Sequence, residues 1–170
     1  MNVIVVYKSR YGSTREIAEF IAEKLREHGV QAEARSVDAD PGEYDAAVIG
    51  SAVYMEHWMK DAAEFVRRNR TVLAERPVWL FSSGPLKLEP GTSPDDPELE
   101  PKEIGEFREV IHLRDHHVFF GALDPDRLSF AHRALRKLPA ARALLPEGDF
   151  RNRDDIEAWA GGIARVLETP

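Results

Sequence analysis

The chain has 170 residues, 43% of them hydrophobic and 31% charged, which suits one domain with a proper core and would leave each of two domains small. Having no cysteine excludes a disulfide framework, a thiolate metal site and a cysteine nucleophile, so redox work requires a bound cofactor. A net charge of -7 argues against nucleic acid as a partner, because phosphate backbones demand a basic face.

The apolar run Val3-Ile4-Val5-Val6-Tyr7 predicts a buried first strand. It ends in Ser9-Arg10-Tyr11-Gly12-Ser13-Thr14, and a helix opens at once over residues 14–27, with Ile17, Phe20, Ile21 and Leu25 on one face and Gly29 as its stop. Residues 31–37 alternate as an edge strand, and Ala46-Ala47-Val48-Ile49 reads as a buried parallel strand. Residues 60–75 return to helical spacing through Ala62, Phe65, Val66 and Leu73, and residues 78–81 form a fourth strand ending in Ser82-Ser83-Gly84-Pro85. Residues 85–101 hold five of the eleven prolines together with Asp95, Asp96, Glu98 and Glu100, too stiff and charged for core, and predict a long surface loop suited to a lid or docking segment.

A third helix is expected over residues 103–113, with Ile104, Phe107, Val110 and Ile111 inward, and a fifth strand over residues 117–121. His116 and His117 are neighbours that a strand points to opposite faces, which argues against joint metal binding. Residues 122–148 interrupt the alternation with a basic helical segment carrying Leu128, Ala131, Leu135 and Leu138 beside Arg127, Arg133, Arg136, Lys137 and Arg142, ended or kinked at Pro139. Asn152-Arg153-Asp154-Asp155 opens a last helix with Ile156, Trp159, Ala160, Ile163 and Leu167 as its core stripe.

Strands alternating with helices predict an α/β fold: an open, doubly wound, five-stranded parallel sheet in the order 2-1-3-4-5, with an inserted helical segment near strand 5, in a single domain over residues 1–170. Ligands of such sheets bind beyond the carboxyl ends of the strands, at the switch between the first and third. The loops meeting there are residues 9–14, 51–58 and 82–86.

Hydroxyls at Ser9, Ser13 and Thr14 around Gly12, at a helix start, suit a single terminal phosphate. No lysine-bearing phosphate loop and no Gly-x-Gly-x-x-Gly is present, which excludes the usual cradles for a nucleoside triphosphate or a pyrophosphate. The competing explanation is that Ser13 or Thr14 merely caps the helix. The second loop, Gly50-Ser51-Ala52-Val53-Tyr54-Met55-Glu56-His57-Trp58, is aromatic and apolar, and the third leaves backbone free to approach a ring. A ligand with a phosphate at one end and a flat, partly polar ring at the other satisfies all three, and FMN is such a ligand.

On these residues the chain resembles the flavodoxin-like family: Ser9, Gly12 and Thr14 match its phosphate loop, while Tyr11 replaces the usual threonine and is expected to turn outward. Val48-Ile49-Gly50-Ser51-Ala52-Val53-Tyr54 with nearby His57, Gly121-Ala122-Leu123, and the segment after it are similar to the menaquinone-dependent protoporphyrinogen oxidase branch; Asp124-Pro125-Asp126 departs from it in being acidic. The resemblance implies an FMN-dependent oxidoreductase passing electrons from a porphyrinogen through FMN to a quinone. The alternative is an electron carrier docking a redox-protein partner. The FMN phosphate is assigned to the N–H groups of Arg10, Tyr11, Gly12, Ser13 and Thr14 and the hydroxyls of Ser9, Ser13 and Thr14. Ser51, Ala52, Val53 and Tyr54 are assigned to one side of the ring, with Trp58 as a substitute stacking partner, and Ser83, Gly84 and Pro85 to the other. No catalytic acid, catalytic base or metal is assigned, and His57 is read as idle. A phosphorylatable receiver module is excluded, since Tyr7-Lys8-Ser9 and Gly50-Ser51 stand where it needs acids. Met1-Asn2 enters the strand directly and no run nears ~20 apolar residues, so a cytoplasmic location is expected, with residues 127–145 suited to peripheral contact at the inner face of a membrane.

Overall fold

The computed structural model of the chain describes residues 1–84, 96–123, 134, 137–139, 148–149 and 151–169. Val3, Ile4, Val5 and Val6 are each at most 4% exposed, and a run apolar on both faces is stable only inside a covered sheet. It forms β1 (Asn2–Lys8), followed by α1 (Ser13–Glu27), which buries Ile17, Ile21 and Leu25 against it. Parallel to β1 run β2 (Gln31–Ser36) on one side and β3 (Ala46–Tyr54) on the other. A short β4 (His57–Trp58) folds back antiparallel on the end of β3. Beyond β3 lie β5 (Val78–Ser83) and then β6 (Leu113–Phe119), both parallel.

The five parallel strands therefore stand in the order β2-β1-β3-β5-β6, the expected doubly wound order with β4 added to it. α1 and α5 (Arg153–Glu168) cover one face over Val3, Val5, Val48, Trp79 and Phe81. α2 (Lys60–Arg68), α3 (Arg70–Glu75) and α4 (Glu103–Val110) cover the other over Ile4, Val6, Ile49, Val78 and Leu80. Asn152 caps α5 as expected, its side chain accepting from the N–H groups of Asp154 and Asp155 at 3.1 and 3.2 Å.

Three expectations need correction. The helix expected over residues 60–75 breaks at Asn69, whose side-chain amide donates to the Phe65 carbonyl at 2.8 Å and competes with the continuing helix. The helix expected to reach residue 113 stops at Val110, because Ile111 turns extended (φ -127°, ψ 165°) and Leu113 already starts β6. Ladder pairing with β5 makes a strand of a polar stretch, Arg114-Asp115-His116-His117, that lacks apolar alternation. Of the long loop, Asp96 caps a 3-10 turn (Pro97–Leu99), while residues 85–95 lie outside the described residues. The basic helix expected within residues 122–148 and the membrane-contact segment 127–145 also lie outside them, apart from four isolated positions. Their flanks meet as β7 (Ala122–Leu123) and β8 (Gly148–Asp149), an antiparallel pair.

Candidate functional site

At the carboxyl end of β1 the Ser9 hydroxyl accepts a hydrogen bond from the Gly12 N–H at 2.9 Å and closes the turn. Gly12 is the N-cap of α1 at φ 95°, ψ -16°, a left-handed conformation that costs a residue with a side chain about 1–2 kcal/mol. No side chain caps α1, so the explanation of Ser13 and Thr14 as mere caps does not hold; they occupy the first two helical positions instead. The first bond of the helix runs from Glu16 N–H to the Gly12 carbonyl at 3.0 Å, and the positive pole of the helix dipole falls at this turn. Thr14 is only 1% exposed. The donor set is neutral and hydroxyl-rich, and it fits a monophosphate.

The second loop differs from the irregular loop expected. β3 runs on through Tyr54, and Met55 and Glu56 make a two-residue hairpin turn into β4, pairing Tyr54 with His57 and Val53 with Trp58. Both turn residues have positive φ, 48° and 69°, as this hairpin class demands, although neither is the usual glycine or asparagine. Glu103 at the start of α4 holds the turn from outside, accepting from His57 Nδ1 at 2.7 Å and from Trp58 N–H at 3.1 Å. Burial works to raise the Glu103 pKa, but these hydrogen bonds outweigh it and hold the carboxyl below its usual range. His57 is thus not idle. Lys102 adds its N–H to the Glu56 carbonyl and an ion pair to the Glu56 carboxylate.

Beneath the hairpin lies a buried polar chain that sequence reasoning missed. Trp58 is 3% exposed, packs edge-on against Phe107 at 5.5 Å and donates from Nε1 to the Ser82 hydroxyl at 2.8 Å. It is a core residue and not a stacking partner for a ligand ring. Ser82 in turn lies 2.8 Å from His116 Nε2. The Ser82 hydroxyl, which accepts from Trp58, bonds His116 Nε2 as well and ties the histidine into the buried chain. Burial is the largest cause of the His116 pKa falling to about 4, with Glu100 opposing it and Arg108 adding to it. His117 points to the opposite face, 3.1 Å from Asp155, so the two histidines are apart as expected.

Tyr54 and the first loop meet. The Arg10 guanidinium carbon is 5.1 Å from the Tyr54 ring centroid and 5.4 Å from that of Tyr11. The Tyr54 hydroxyl also contacts Tyr11 and Arg10, and its pKa is pushed up to about 12, chiefly by burial and then by Tyr11, with Arg10 opposing. Tyr11 is consequently half-buried and does not turn outward.

The remaining assigned residues divide. Ala52 and Val53 are half-buried at the same edge, while Ser51 is fully buried and spends its hydroxyl bracing the loop to α2, accepting from Met59 N–H at 3.0 Å and donating to the Ala52 carbonyl. Ser83 is 7% exposed, and the Gly84 N–H extends the ladder to the Phe119 carbonyl at 2.9 Å, so that amide is committed. Pro85 lies outside the described residues. A separate cavity of about 300 Å³ between α1 and α5 is lined by Glu16, Ile17, Phe20, Arg151, Arg153 and Ile156. Its Arg151 is already paired with Glu16 and Asp149, and the cavity has neither the hydroxyls nor the helix end of the β1–α1 turn.

Sheet order, an uncapped helix end at the switch point and a neighbouring aromatic loop define an open α/β mononucleotide-binding protein. A flavodoxin domain family model matches residues 4–141, and the chain belongs to that family, whose cofactor is FMN. Over 86 residues it is 33% identical to the protoporphyrinogen IX dehydrogenase [quinone] of Escherichia coli strain K12, covering 48% of each protein. The chain thus spans about half the length of the curated relatives it matches. Among solved structures it is similar to a flavodoxin from the domain Archaea (17% identity, TM-score 0.63, 99% of each chain) and to oxidised flavodoxin 1 from Bacillus cereus (12% identity, TM-score 0.61, 100% of each chain).

Proposed function

We propose that the chain is an FMN-dependent oxidoreductase that oxidises a porphyrinogen and delivers the electrons to a quinone. The observation that carries the FMN part of this reading is the convergence of an uncapped α1 N-terminus, the hydroxyl of Thr14 and the ring of Tyr54 on one sheet edge. The Ser9–Gly12 turn and the amides and hydroxyls of Ser13 and Thr14 hold the phosphate, the left-handed Gly12 letting the backbone come close. Tyr54 supports the ring from the β3–β4 hairpin, offset stacking adding roughly 0.5–1.5 kcal/mol beyond area burial. FMN supplies the electron chemistry, accepting two reducing equivalents at a time, and the chain supplies binding, orientation and electrostatics. The choice of substrate is supported by the identity to the quinone-linked dehydrogenase. Among the described residues no helix is long and apolar enough to cross a membrane, so contact with membrane quinone would be peripheral.

The net charge of -7 favours a second reading, a carrier that docks basic redox partners. An anaerobic assay separates the two. FMN-loaded protein given protoporphyrinogen is expected to lose its visible flavin absorbance and to regain it on addition of a menaquinone analogue. A flavin that dithionite bleaches but protoporphyrinogen does not would leave the carrier.

A further inference from the structure

We propose that the Arg10 side chain is the fixed positive charge of the cofactor site, and that it favours the two-electron-reduced flavin over the oxidised one. The inference rests on the FMN reading above and extends it from binding to redox poise. Arg10 reaches from the first loop to the second, its guanidinium between the rings of Tyr11 and Tyr54 at 5.4 and 5.1 Å. Aromatic faces fix the plane of a guanidinium without neutralising it. Tyr54 does not supply the missing charge either, since its buried phenol stays protonated through the physiological range.

The other charged groups around this edge have partners of their own. Lys8 pairs with Asp38 and Asp61, Glu16 with Arg151, Glu56 with Lys102, and Glu103 with His57. Among the described residues Arg10 has no carboxylate partner, and its guanidinium stands where the phosphate loop and the ring loop meet.

An aromatic partner of Tyr54 packs at about 4.5–7 Å between centroids, which with the 5.1 Å from guanidinium to Tyr54 leaves its ring about 12 Å or less from the charge. Arg10 is exposed, and that distance is at most about one and a half Debye lengths at physiological salt, so the ring feels a reduced but finite part of its charge. Oxidised flavin has a neutral ring. Uptake of two electrons and one proton leaves the ring with one negative charge, so a fixed cation binds the reduced form better than the oxidised form. Differential affinity for two states shifts the equilibrium between them by that difference. The chain is thereby biased toward accepting an electron pair, as an oxidation of a neutral donor requires.

The test uses the full chain loaded with FMN, and the variants Arg10→Met and Arg10→Lys. The affinity for oxidised FMN is read from flavin fluorescence quenching, and the two-electron midpoint potential from anaerobic dithionite titration with a reference dye. Arg10→Met is expected to weaken reduced FMN about tenfold relative to oxidised FMN, a negative shift of about 30 mV for a two-electron couple. Its loss of affinity for oxidised FMN should be smaller than that for reduced FMN by this factor, and Arg10→Lys should restore most of the potential. An unmoved potential, or equal losses for oxidised and reduced FMN, overturns the proposal and makes Arg10 a phosphate or loop residue. Absence of quenching in the unsubstituted chain overturns the FMN reading itself and the proposal with it.

Discussion

Replacing Gly50 by alanine is expected to cost about 3 kcal/mol and to lower Tm by about 6–12 °C, near the upper end for overpacking a core. Gly50 lies on β3 directly opposite Phe81 on β5, and a Cβ there would fall 2.0, 2.2 and 2.3 Å from three atoms of the Phe81 ring. The ring cannot step aside. It is fully buried, 6.0 Å from Phe119 and 6.3 Å from Trp159 between centroids, under α5. Relief would require moving β3 against β5, and β3 carries Ala52, Val53 and Tyr54 into the site. Thermal unfolding of Gly50→Ala beside the double variant Gly50→Ala/Phe81→Leu checks this. The smaller side chain should recover part of the loss, whereas a Tm within 2 °C of the unsubstituted protein would mean that the ring and strand yield cheaply.

His116 sets the second large expectation, in pH. Its side chain is 3% exposed and its pKa falls to about 4 in the fold, against an ordinary value of 6.5. Below pH 6.5 the unfolded chain takes up a proton that the folded chain refuses, so stability is fully present above 6.5 and drains away as pH falls toward 4. The slope gives a loss of about 2 kcal/mol by pH 5 and about 3 kcal/mol by pH 4. The upper part of that window lies above the titration of Glu100 and Glu103, whose pKa values are lowered by their partners and whose contribution is lost only at more acid pH. Urea unfolding at pH 7 and pH 5 should therefore show a fall in the parent that His116→Gln, which can still accept from Ser82, lacks. Equal slopes in the two proteins would remove the histidine from the account.

The parts legible in sequence were those governed by local rules. Val3 to Val6 could only be a covered strand, Gly12 marked the turn into the helix, and Ile17, Ile21 and Leu25 fixed the face of α1. The strand order followed from alternation and handedness. What was illegible depended on contacts between distant residues. The β3–β4 hairpin uses Met55 and Glu56 at positive φ, held by Glu103 and Lys102 about 45 residues away, and carries no turn signature of its own. Trp58 looked available for stacking because nothing local announces Ser82 and Phe107 as its partners. β6 begins in a polar stretch that only its ladder with β5 makes a strand. The contact of the Arg10 side chain with a second aromatic face was illegible because Tyr54 arrives from β3.

The central claim is that a monophosphate sits on the N-terminus of α1 while a flat ring rests beside Tyr54. Parallel fluorescence titrations of the chain with FMN and with riboflavin, which share the ring and differ by the phosphate, test it most directly. Both flavins should be quenched, with FMN bound at least about a hundredfold more tightly, equivalent to about 2.7 kcal/mol at the helix end. Equal affinities, or free-flavin fluorescence throughout the FMN titration, would contradict it.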